Sequence, residues 1–278
     1  MPVSQAEPVA EPHFEVIFRA CDVVTAVNGA ARPFNLDKRT LIQLCFASLH
    51  QALRPVSHRI TVLGDKLSPE LSAFFEAQVG VRLLHGSFGN EGSIRRTFEL
   101  AAELARPDDW VYFCEDDYLH VPHAMTHVRE LIVNRRQAME HHPRGDSLAS
   151  LLDPGSADLV IFPADYPDRY RGRYRRFSLV FQTPQTHWRQ VTDSTFTFLM
   201  QGSSFARHRA LLERCATGAN DRLLSRSLYA RHHFRKRALC LSPMPGLSTH
   251  MHTGTMTPVV DWEAQVRRQL AGLGAAAG

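Results

Sequence analysis

This 278-residue sequence has no long apolar segment, and that absence limits its relation to membranes. No apolar run approaches the roughly 20 residues that a membrane-spanning helix needs. The N-terminal segment MPVSQAEPVAEPH has neither a basic start nor an apolar core, so we expect no signal peptide. We therefore predict a cytoplasmic protein whose only contact with a membrane would be peripheral, at its inner face.

The sequence also has no closely spaced cysteine pair and few lysines. The five cysteines are dispersed and no CxxC pair occurs, which argues against both a zinc cage and a disulfide framework. Lysine occurs only at positions 38, 66 and 236, so nearly all of the 32 basic side chains are arginine. Codon bias would explain this excess, and so would a need for guanidinium groups that bind phosphate. The net charge of +4 is too small to require nucleic acid, so no such partner is expected.

Short strand-like runs alternate with helix-like segments through the first half of the chain. The strand-like runs are FEVIF, RITVL, VRLL and WVYFC, at 14–18, 59–63, 81–84 and 110–114. Helices are predicted from Asn35, from Pro69 behind a Ser68 N-cap, and over 93–105. This alternation predicts an α/β fold with a mostly parallel sheet and helices on both faces. In such sheets ligands bind beyond the carboxyl ends of the strands.

The second half of the chain is less regular. Helices are predicted at 122–140, 204–216 and 220–235, and strand-like runs at 158–162, 178–182, 194–200 and 238–242. Residues 1–13 and 266–278 are predicted to be flexible tails. Between the tails the chain divides at 14–120 and 121–265 into two halves, which we expect to form one domain.

Three acids, Glu115, Asp116 and Asp117, directly follow the strand-like run WVYFC. Ionised carboxylates are costly to bury without a cation or a hydrogen-bond donor. Acids this close together suit Mg²⁺ or Mn²⁺, which prefer oxygen ligands and leave positions open for phosphate oxygens. The alternative is an acidic loop that caps the next helix through its dipole. We favour the cation site.

Two groups of histidines are candidates for further ligands. His250 and His252 follow a predicted strand, and alternate residues of an extended segment face opposite ways, so one of the two is expected to reach an ion. His120, His123 and His127 share a helix face and, with the acids, suggest a metal-dependent phosphoesterase or nuclease as an alternative function. No HExxH motif accompanies them, so a solvated helix face is the preferred interpretation.

A basic segment and one acid complete the candidates. The segment RYRGRYRRF at 169–177 places five arginines among aromatic residues. We interpret it first as a loop that contacts substrate phosphates; the alternatives are a mobile basic loop and an RNA-binding strand. Asp221 precedes an amphipathic helix, where it would be either the N-cap or a base at the rim of a pocket.

The order of these features resembles that of the GT-A fold glycosyltransferases, especially the family-two-like enzymes that use nucleotide-sugar donors. In that group an Asn-x-Gly element precedes a helix, a strand and an acidic DxD-type motif. The stretch GNEGSIRRTFELAAELARPDDWVYFCEDD follows the same plan, beginning with Asn90 and Gly92. The resemblance covers the layout of residues 14–120 and, more loosely, 190–255. It implies a Rossmann-like, nucleotide-sugar-binding half at 14–120 and a mixed acceptor-binding half at 121–265.

The resemblance also implies roles for individual residues. Asp117 looks like a ligand of Mn²⁺ or Mg²⁺, and His250 or His252 looks like the late histidine that completes such a site. Asp221 occupies the place of the general base of inverting members. Asp65 would recognise the nucleotide base and Arg95 would stabilise the leaving diphosphate. Trp188 and the 165–177 segment would shape the acceptor pocket. The full set of implied donor-site residues is Arg19, Asp65, Asn90, Arg95, Glu115 and Asp116.

The sequence departs from the family pattern at three points. The paired acids expected after the second strand are reduced to Gly64-Asp65, the first acid of the motif is Glu115, and no QxxRW-like element occurs, which argues against a processive polysaccharide synthase. The Thr-Gly after His252 is similar to retaining members, so the stereochemistry stays open. The resemblance implies a metal-dependent and inverting glycosyltransferase. It would move a sugar from a nucleotide diphosphate to a hydroxyl of a glycan or lipid-linked acceptor, in glycan or surface-polysaccharide biosynthesis.

Overall fold

The strands of this computed structural model form one large sheet and one small one. The structure describes residues 10–22, 32–135, 158–171, 178–229 and 238–276. The strands within these ranges are β1 (His13–Ala20), β2 (Ser57–Asp65), β3 (Val81–Gly86), β4 (Trp110–Glu115), β5 (Tyr118–His120), β6 (Asp158–Ile161), β7 (Val180–Gln182), β8 (His187–Val191), β9 (Phe198–Gln201), β10 (Ala238–Met244) and β11 (Ser248–His250).

Helices cover the sheet and connect its strands. The α-helices within the described ranges are α1 (Lys38–Leu53), α2 (Pro69–Glu76), α3 (Gly89–Leu104), α4 (Ala124–Asn134), α5 (Gly202–Ala216), α6 (Asp221–Tyr229) and α7 (Trp262–Ala276). Short 3₁₀ turns lie at Pro33–Asn35 and Pro167–Tyr170.

The large sheet has nine strands in the order β3-β2-β1-β4-β9-β6-β10-β8-β7. The parallel pairs are β1–β2, β1–β4, β2–β3 and β6–β10, and β8 and β9 run against their neighbours, so seven of the nine strands share one direction. The predicted α/β fold with a mostly parallel sheet and helices is therefore confirmed. The strand order reverses between β1 and β4, which makes their carboxyl ends the place where such sheets bind ligands.

Burial explains why the central strands read as apolar runs. Along β1 every residue from Phe14 to Phe18 is buried, as expected for a parallel strand that is covered on both faces. Phe18 contacts Phe46 of α1 edge-on, with ring centroids 5.3 Å apart, and Phe46 contacts Phe75 of α2 at 5.0 Å. Such edge-to-face contacts between buried rings fix the helices against the sheet.

A two-stranded sheet joins the end of the first half to the end of the second. β5 pairs antiparallel with β11, so that Tyr118 lies opposite His250. The peptide N–H of Met251 donates to the carbonyl of Asp117 at 2.7 Å and extends this pairing. The sheet therefore brings the chain near residue 250 to the acids that follow β4.

Several predicted boundaries are corrected by the structure. The N-cap of α1 is Asp37 rather than Asn35, because the Asp37 carboxylate accepts the peptide N–H of Thr40. Residues 266–276 of the predicted C-terminal tail belong to α7, since Trp262 and Val266 bury an apolar stripe and the terminal alanines are strong helix formers. β5, β8 and β11 were not predicted.

Parts of five predictions lie outside the described residues: the N-terminal tail at 1–9, the helix at 136–140, the basic segment at 172–177, the helix at 230–235 and the C-terminal tail at 277–278. Among the helices that the structure does describe, none is long and apolar enough to cross a bilayer.

A buried histidine in β5 makes stability depend on pH. His120 is buried, its Nε2 lies 2.7 Å from the Tyr112 hydroxyl, and loss of hydration lowers its pKa to about 3. In the unfolded chain a histidine takes up a proton below about pH 6.5, whereas the folded protein excludes that proton until about pH 3. Unfolding is therefore favoured as the pH falls through this window, by about 2 kcal/mol at pH 5 from this group alone.

We predict that His120→Gln removes this pH dependence while it keeps a polar partner for Tyr112. The difference in unfolding free energy between wild type and variant should change by about 2 kcal/mol between pH 7 and pH 5. Urea denaturation at both pH values measures it, and the exposed His187→Gln is the matched control. A difference that does not change with pH would show that His120 is not excluded from protonation.

Candidate functional site

The first acid behind β4 is paired across the strand-order reversal. Arg19, near the end of β1, forms an ion pair with Glu115, and the two residues are in register in the β1–β4 ladder. The other Nη of Arg19 donates to the Asn90 side chain at 3.0 Å and to Ser93 at 3.2 Å. The buried hydroxyl of Thr197 donates to the second Glu115 oxygen at 3.1 Å. The predicted residues Arg19, Asn90 and Glu115 thus form one connected group.

The second acid, Asp116, is held by a lysine and a peptide N–H. Lys38, the first residue of α1, donates to Asp116 Oδ1 at 2.5 Å, and the peptide N–H of Cys21 donates to Oδ2 at 2.8 Å. Burial opposes the charge of Lys38, but Asp116 and Asp117 outweigh it and raise the pKa of the amine. Asp116 is 7% exposed, so these two donors carry most of its compensation.

The third acid, Asp117, pairs with His250. Asp117 Oδ2 lies 3.0 Å from His250 Nε2, and the His250 ring stacks on Tyr118 with centroids 5.0 Å apart. Burial alone would raise the pKa of Asp117, but His250 and, less strongly, Lys38 hold it well below its usual range. Burial also acts to lower the pKa of His250, and the charge of Asp117 reverses this and raises it. The structure brings together these two predicted metal ligands.

A hydroxyl network orients His250 from its other side. His250 Nδ1 lies 3.3 Å from the Tyr166 hydroxyl, which lies 2.7 Å from the Tyr118 hydroxyl, and Tyr118 in turn contacts Thr195 at 2.8 Å. Partners on the second ring nitrogen fix the tautomer and orientation of a histidine ligand. Tyr166 lies in the 165–177 segment that was predicted to shape the acceptor pocket, whereas Tyr118 and Thr195 were not predicted as site residues.

Asp221 is the first residue of α6, but it does not cap that helix. Its neighbour Asn220 does so, because the Asn220 side chain accepts the peptide N–H of Leu223 at 2.8 Å. The exposed Asp221 side chain has a pKa raised to about 7, first by partial loss of hydration and then by the charge of Glu115, against the opposing effects of Arg19 and His250. Asp221 thus lies within electrostatic reach of the acid group.

A cleft of about 410 Å³ opens beside Asp221. It lies between α6, the 3₁₀ turn at Pro167–Tyr170 and the chain that links β8 to β9. Its lining residues are Tyr166, Asp168, Arg169, Thr192, Asp193, Ser194, Thr195, Asp221, Arg222, Ser225 and Arg226. Tyr166 and Thr195 also belong to the hydroxyl network on His250, so the cleft and the acids are connected.

Two predicted donor-site residues, Asp65 and Arg95, bind other parts of the protein in the structure. Asp65 accepts the peptide N–H of Phe88 at 2.6 Å and thereby holds the turn before α3, and its reading of a nucleotide base stays a prediction. Arg95 Nη2 donates to Thr217 at 2.5 Å, in the turn between α5 and α6, and its Nε to Glu91 at 3.1 Å.

The prediction that Trp188 contacts the acceptor is wrong. Its side chain is completely buried and its indole N–H donates to Thr183 at 3.2 Å, so it offers no surface to an acceptor. His252 lies near the site, with its ring 5.6 Å from that of His250. Its Nδ1 is buried and makes no hydrogen bond within the described residues, and its role as a ligand stays a prediction.

The histidines of the phosphoesterase alternative do not gather around the acids. His120 is buried against Tyr112, and His127 contacts Thr186 at 2.7 Å. His123 and His127 contact each other, with ring centroids 4.6 Å apart, and lie at the start of α4. His120 is therefore a core residue, and His123 and His127 belong to a helix face.

Asp117 Oδ2 and His250 Nε2 lie 3.0 Å apart, which is the distance of a hydrogen-bonded ion pair. A divalent cation held by these two atoms would replace the proton on His250 Nε2, and two ligands about 2.1 Å from an octahedral ion and at right angles to each other also lie about 3.0 Å apart. Across the described residues no cluster of three or more His, Cys, Asp or Glu side chains suits a metal.

Comparisons with known proteins give similarities of low strength. No family model matches the chain, and no curated protein matches it. A crystal structure of 4-diphosphocytidyl-2C-methyl-D-erythritol synthase has a TM-score of 0.42 at 14% identity and covers 94% of this chain and 99% of its own. An active-site mutant of LgtC has a TM-score of 0.45 at 11% identity and covers 93% and 95%.

The galactosyltransferase LgtC with donor and acceptor sugar analogs has a TM-score of 0.39 at 10% identity and covers 76% of this chain and 69% of its own. At these TM-scores and identities the similarities carry no conclusion about the activity of this chain.

We predict that Lys38→Met destabilises the protein, because it leaves the nearly buried Asp116 with one donor. The expected loss of unfolding free energy is about 2–3 kcal/mol, measured by urea denaturation at pH 7. Lys66→Met removes an exposed lysine of the same length and is the matched control. Adding Asp116→Asn to Lys38→Met should restore much of the loss; additive losses would contradict a direct Lys38–Asp116 interaction.

Proposed function

We propose that this protein is a glycosyltransferase of the GT-A type, which transfers a sugar from a nucleotide diphosphate to an acceptor hydroxyl with inversion. The observation that carries the proposal is the position of Asp221. This acid has a pKa near neutrality, lines a polar cleft, and is within electrostatic reach of the charged group at the strand-order reversal. A donor on one side of it and an acceptor on the other would meet at its carboxyl group.

The donor side is supported by the charges around β1 and β4. Parallel sheets bind nucleotides beyond the strand ends where the order reverses, and Arg19 and Lys38 project there beside the acids. In the proposed complex, Asp117 and His250 would hold Mn²⁺ or Mg²⁺. Such an ion would act as a Lewis acid that offsets the charge of the leaving diphosphate. Glu115 and Asp116 would contact the ribose and the donor sugar.

The transfer step itself needs a base and an in-line approach. The acceptor oxygen attacks the anomeric carbon as the bond from that carbon to the diphosphate oxygen breaks, and Asp221 takes the hydroxyl proton. A base works best when its pKa lies near the working pH, which is the value that Asp221 has. We further propose that the reaction serves glycan or surface-polysaccharide synthesis on the cytoplasmic side of a membrane.

Asp117→Asn tests the cation site. It should abolish the Mn²⁺-dependent part of nucleoside diphosphate binding, because an amide is a poor ligand and leaves His250 without its carboxylate. The measurement is the shift of the melting temperature with UDP, GDP, CDP, ADP and dTDP, with and without Mn²⁺. Asp108→Asn changes an exposed acid in the turn before β4 and should behave as wild type. A Mn²⁺-dependent shift of normal size in Asp117→Asn would disprove the assignment.

Asp221→Asn tests the base. The variant keeps the Asn220 cap and the shape of the side chain, so it should fold and bind nucleotide normally, while turnover falls by about 10²–10⁴-fold. In wild type, kcat/KM should rise about tenfold per pH unit up to about pH 7 and then level off, because only the ionised carboxylate accepts the proton. In the variant that rise should be absent. A preserved rise, or unchanged turnover, would remove Asp221 as the base.

A further inference from the structure

The cleft beside Asp221 is polar enough to specify the chemistry of its ligand. Of its eleven lining residues, Tyr166 is the single aromatic one, and the other ten carry hydroxyl, carboxylate or guanidinium groups. Pockets for acyl chains and aromatic groups are lined mainly by apolar side chains. This cleft therefore supplies the hydrogen-bonding groups that a polyhydroxylated ligand such as a sugar needs.

Two arginines of α6 give the cleft a positive wall. Arg222 and Arg226 are one turn apart on the helix, so they lie on the same face, and both are exposed. Within the described residues neither makes an ion pair. Like charges at this spacing destabilise a helix slightly, and Arg222 lies in the first turn, where the helix dipole disfavours a cation. An anion bound between them would relieve both effects.

The cleft has as many acids as arginines, but within the described residues none of its acids forms an ion pair with Arg222 or Arg226. Asp193 lies 3.6 Å from the buried Arg169, whose Nη2 also donates to the Asp193 carbonyl at 3.1 Å, so these two charges offset each other. Asp168 and Asp221 remain, and both are exposed to the cleft. Carboxylates of this kind accept hydrogen bonds from hydroxyl groups, which leaves Arg222 and Arg226 for a ligand of opposite charge.

We propose that the acceptor is an anionic carbohydrate, with its phosphate or carboxylate group held between Arg222 and Arg226 and a hydroxyl facing Asp221. Guanidinium groups bind such anions with two parallel hydrogen bonds. The rise of an α-helix separates residues 222 and 226 by about 6 Å along the axis, so one anionic group can contact both. Asp221 directly precedes Arg222, so the anionic group and the reacting hydroxyl would belong to the same sugar or to adjacent ones. This inference rests on the proposed function, because it takes Asp221 as the base.

The test measures binding of small probes by calorimetry at pH 7.5. The probes are glucose, glucose 6-phosphate, glucuronate and inorganic phosphate, so that the neutral sugar, the two anionic groups and the bare anion are compared. At least one anionic sugar should bind ten-fold or more tightly than glucose, and the stronger of the two identifies phosphate or carboxylate. Arg222→Gln and Arg226→Gln should each weaken that binding about ten-fold and leave glucose binding unchanged. The exposed Arg268→Gln of α7 is the matched control.

Two results would overturn the proposal. One is equal affinity for glucose and for both anionic sugars. The other is anion binding that survives both arginine variants but is lost in Asp117→Asn or in the presence of a nucleoside diphosphate with Mn²⁺, which would place the anion in the donor site. The proposed function fails separately: nucleoside diphosphates would then give no melting shift, while anionic sugars still bind in a manner that depends on Arg222 and Arg226.

Discussion

Three consecutive carboxylates at the end of one strand need three compensating groups, and this requirement organises the site. The first group is Arg19 from the neighbouring strand, the second is Lys38 at the start of α1, and the third is His250 from the end of the chain. Each comes from a different part of the fold. The sheet order places Arg19, the first helix places Lys38, and the small β5–β11 sheet places His250. The site therefore forms only when all three have folded.

These ion pairs orient the carboxylates more than they stabilise the folded protein. Partly exposed pairs contribute little to the free energy of folding, and even buried ones often break even against their loss of hydration. What the pairs do is hold each carboxylate in one orientation, since Glu115 is bound from both sides, by Arg19 and by Thr197. A binding site whose groups are already oriented loses less entropy when a ligand arrives. The cost of placing three acids together is thus offset by partners that prepare the site.

Local patterns predicted the layout of the first half, because each of its strands and helices carries its own signal. The apolar runs of β1, β2 and β4 and the Ser68–Pro69 helix start were read correctly from adjacent residues. The hydroxyls of Thr195 and Thr197 and the contact of Tyr166 with His250 were missed, because only long-range packing brings them to the acids. Trp188 was misplaced for a related reason: an amphipathic residue in a short strand gives no sign of which face is covered. The rarity of lysine was the one available signal for Lys38.

Asp221 lies near two regions with different charge patterns. In the first, the three acids are matched by Arg19, Lys38 and His250, so the proposed nucleotide and its cation would bind there together. In the second, Arg222 and Arg226 lack partners among the described residues, so this region favours an anion. The same charges set the pKa of Asp221, because Glu115 raises it while Arg19 and His250 lower it. Any ligand that adds positive charge beside Asp117 would therefore lower the pKa of Asp221 and favour its ionised form.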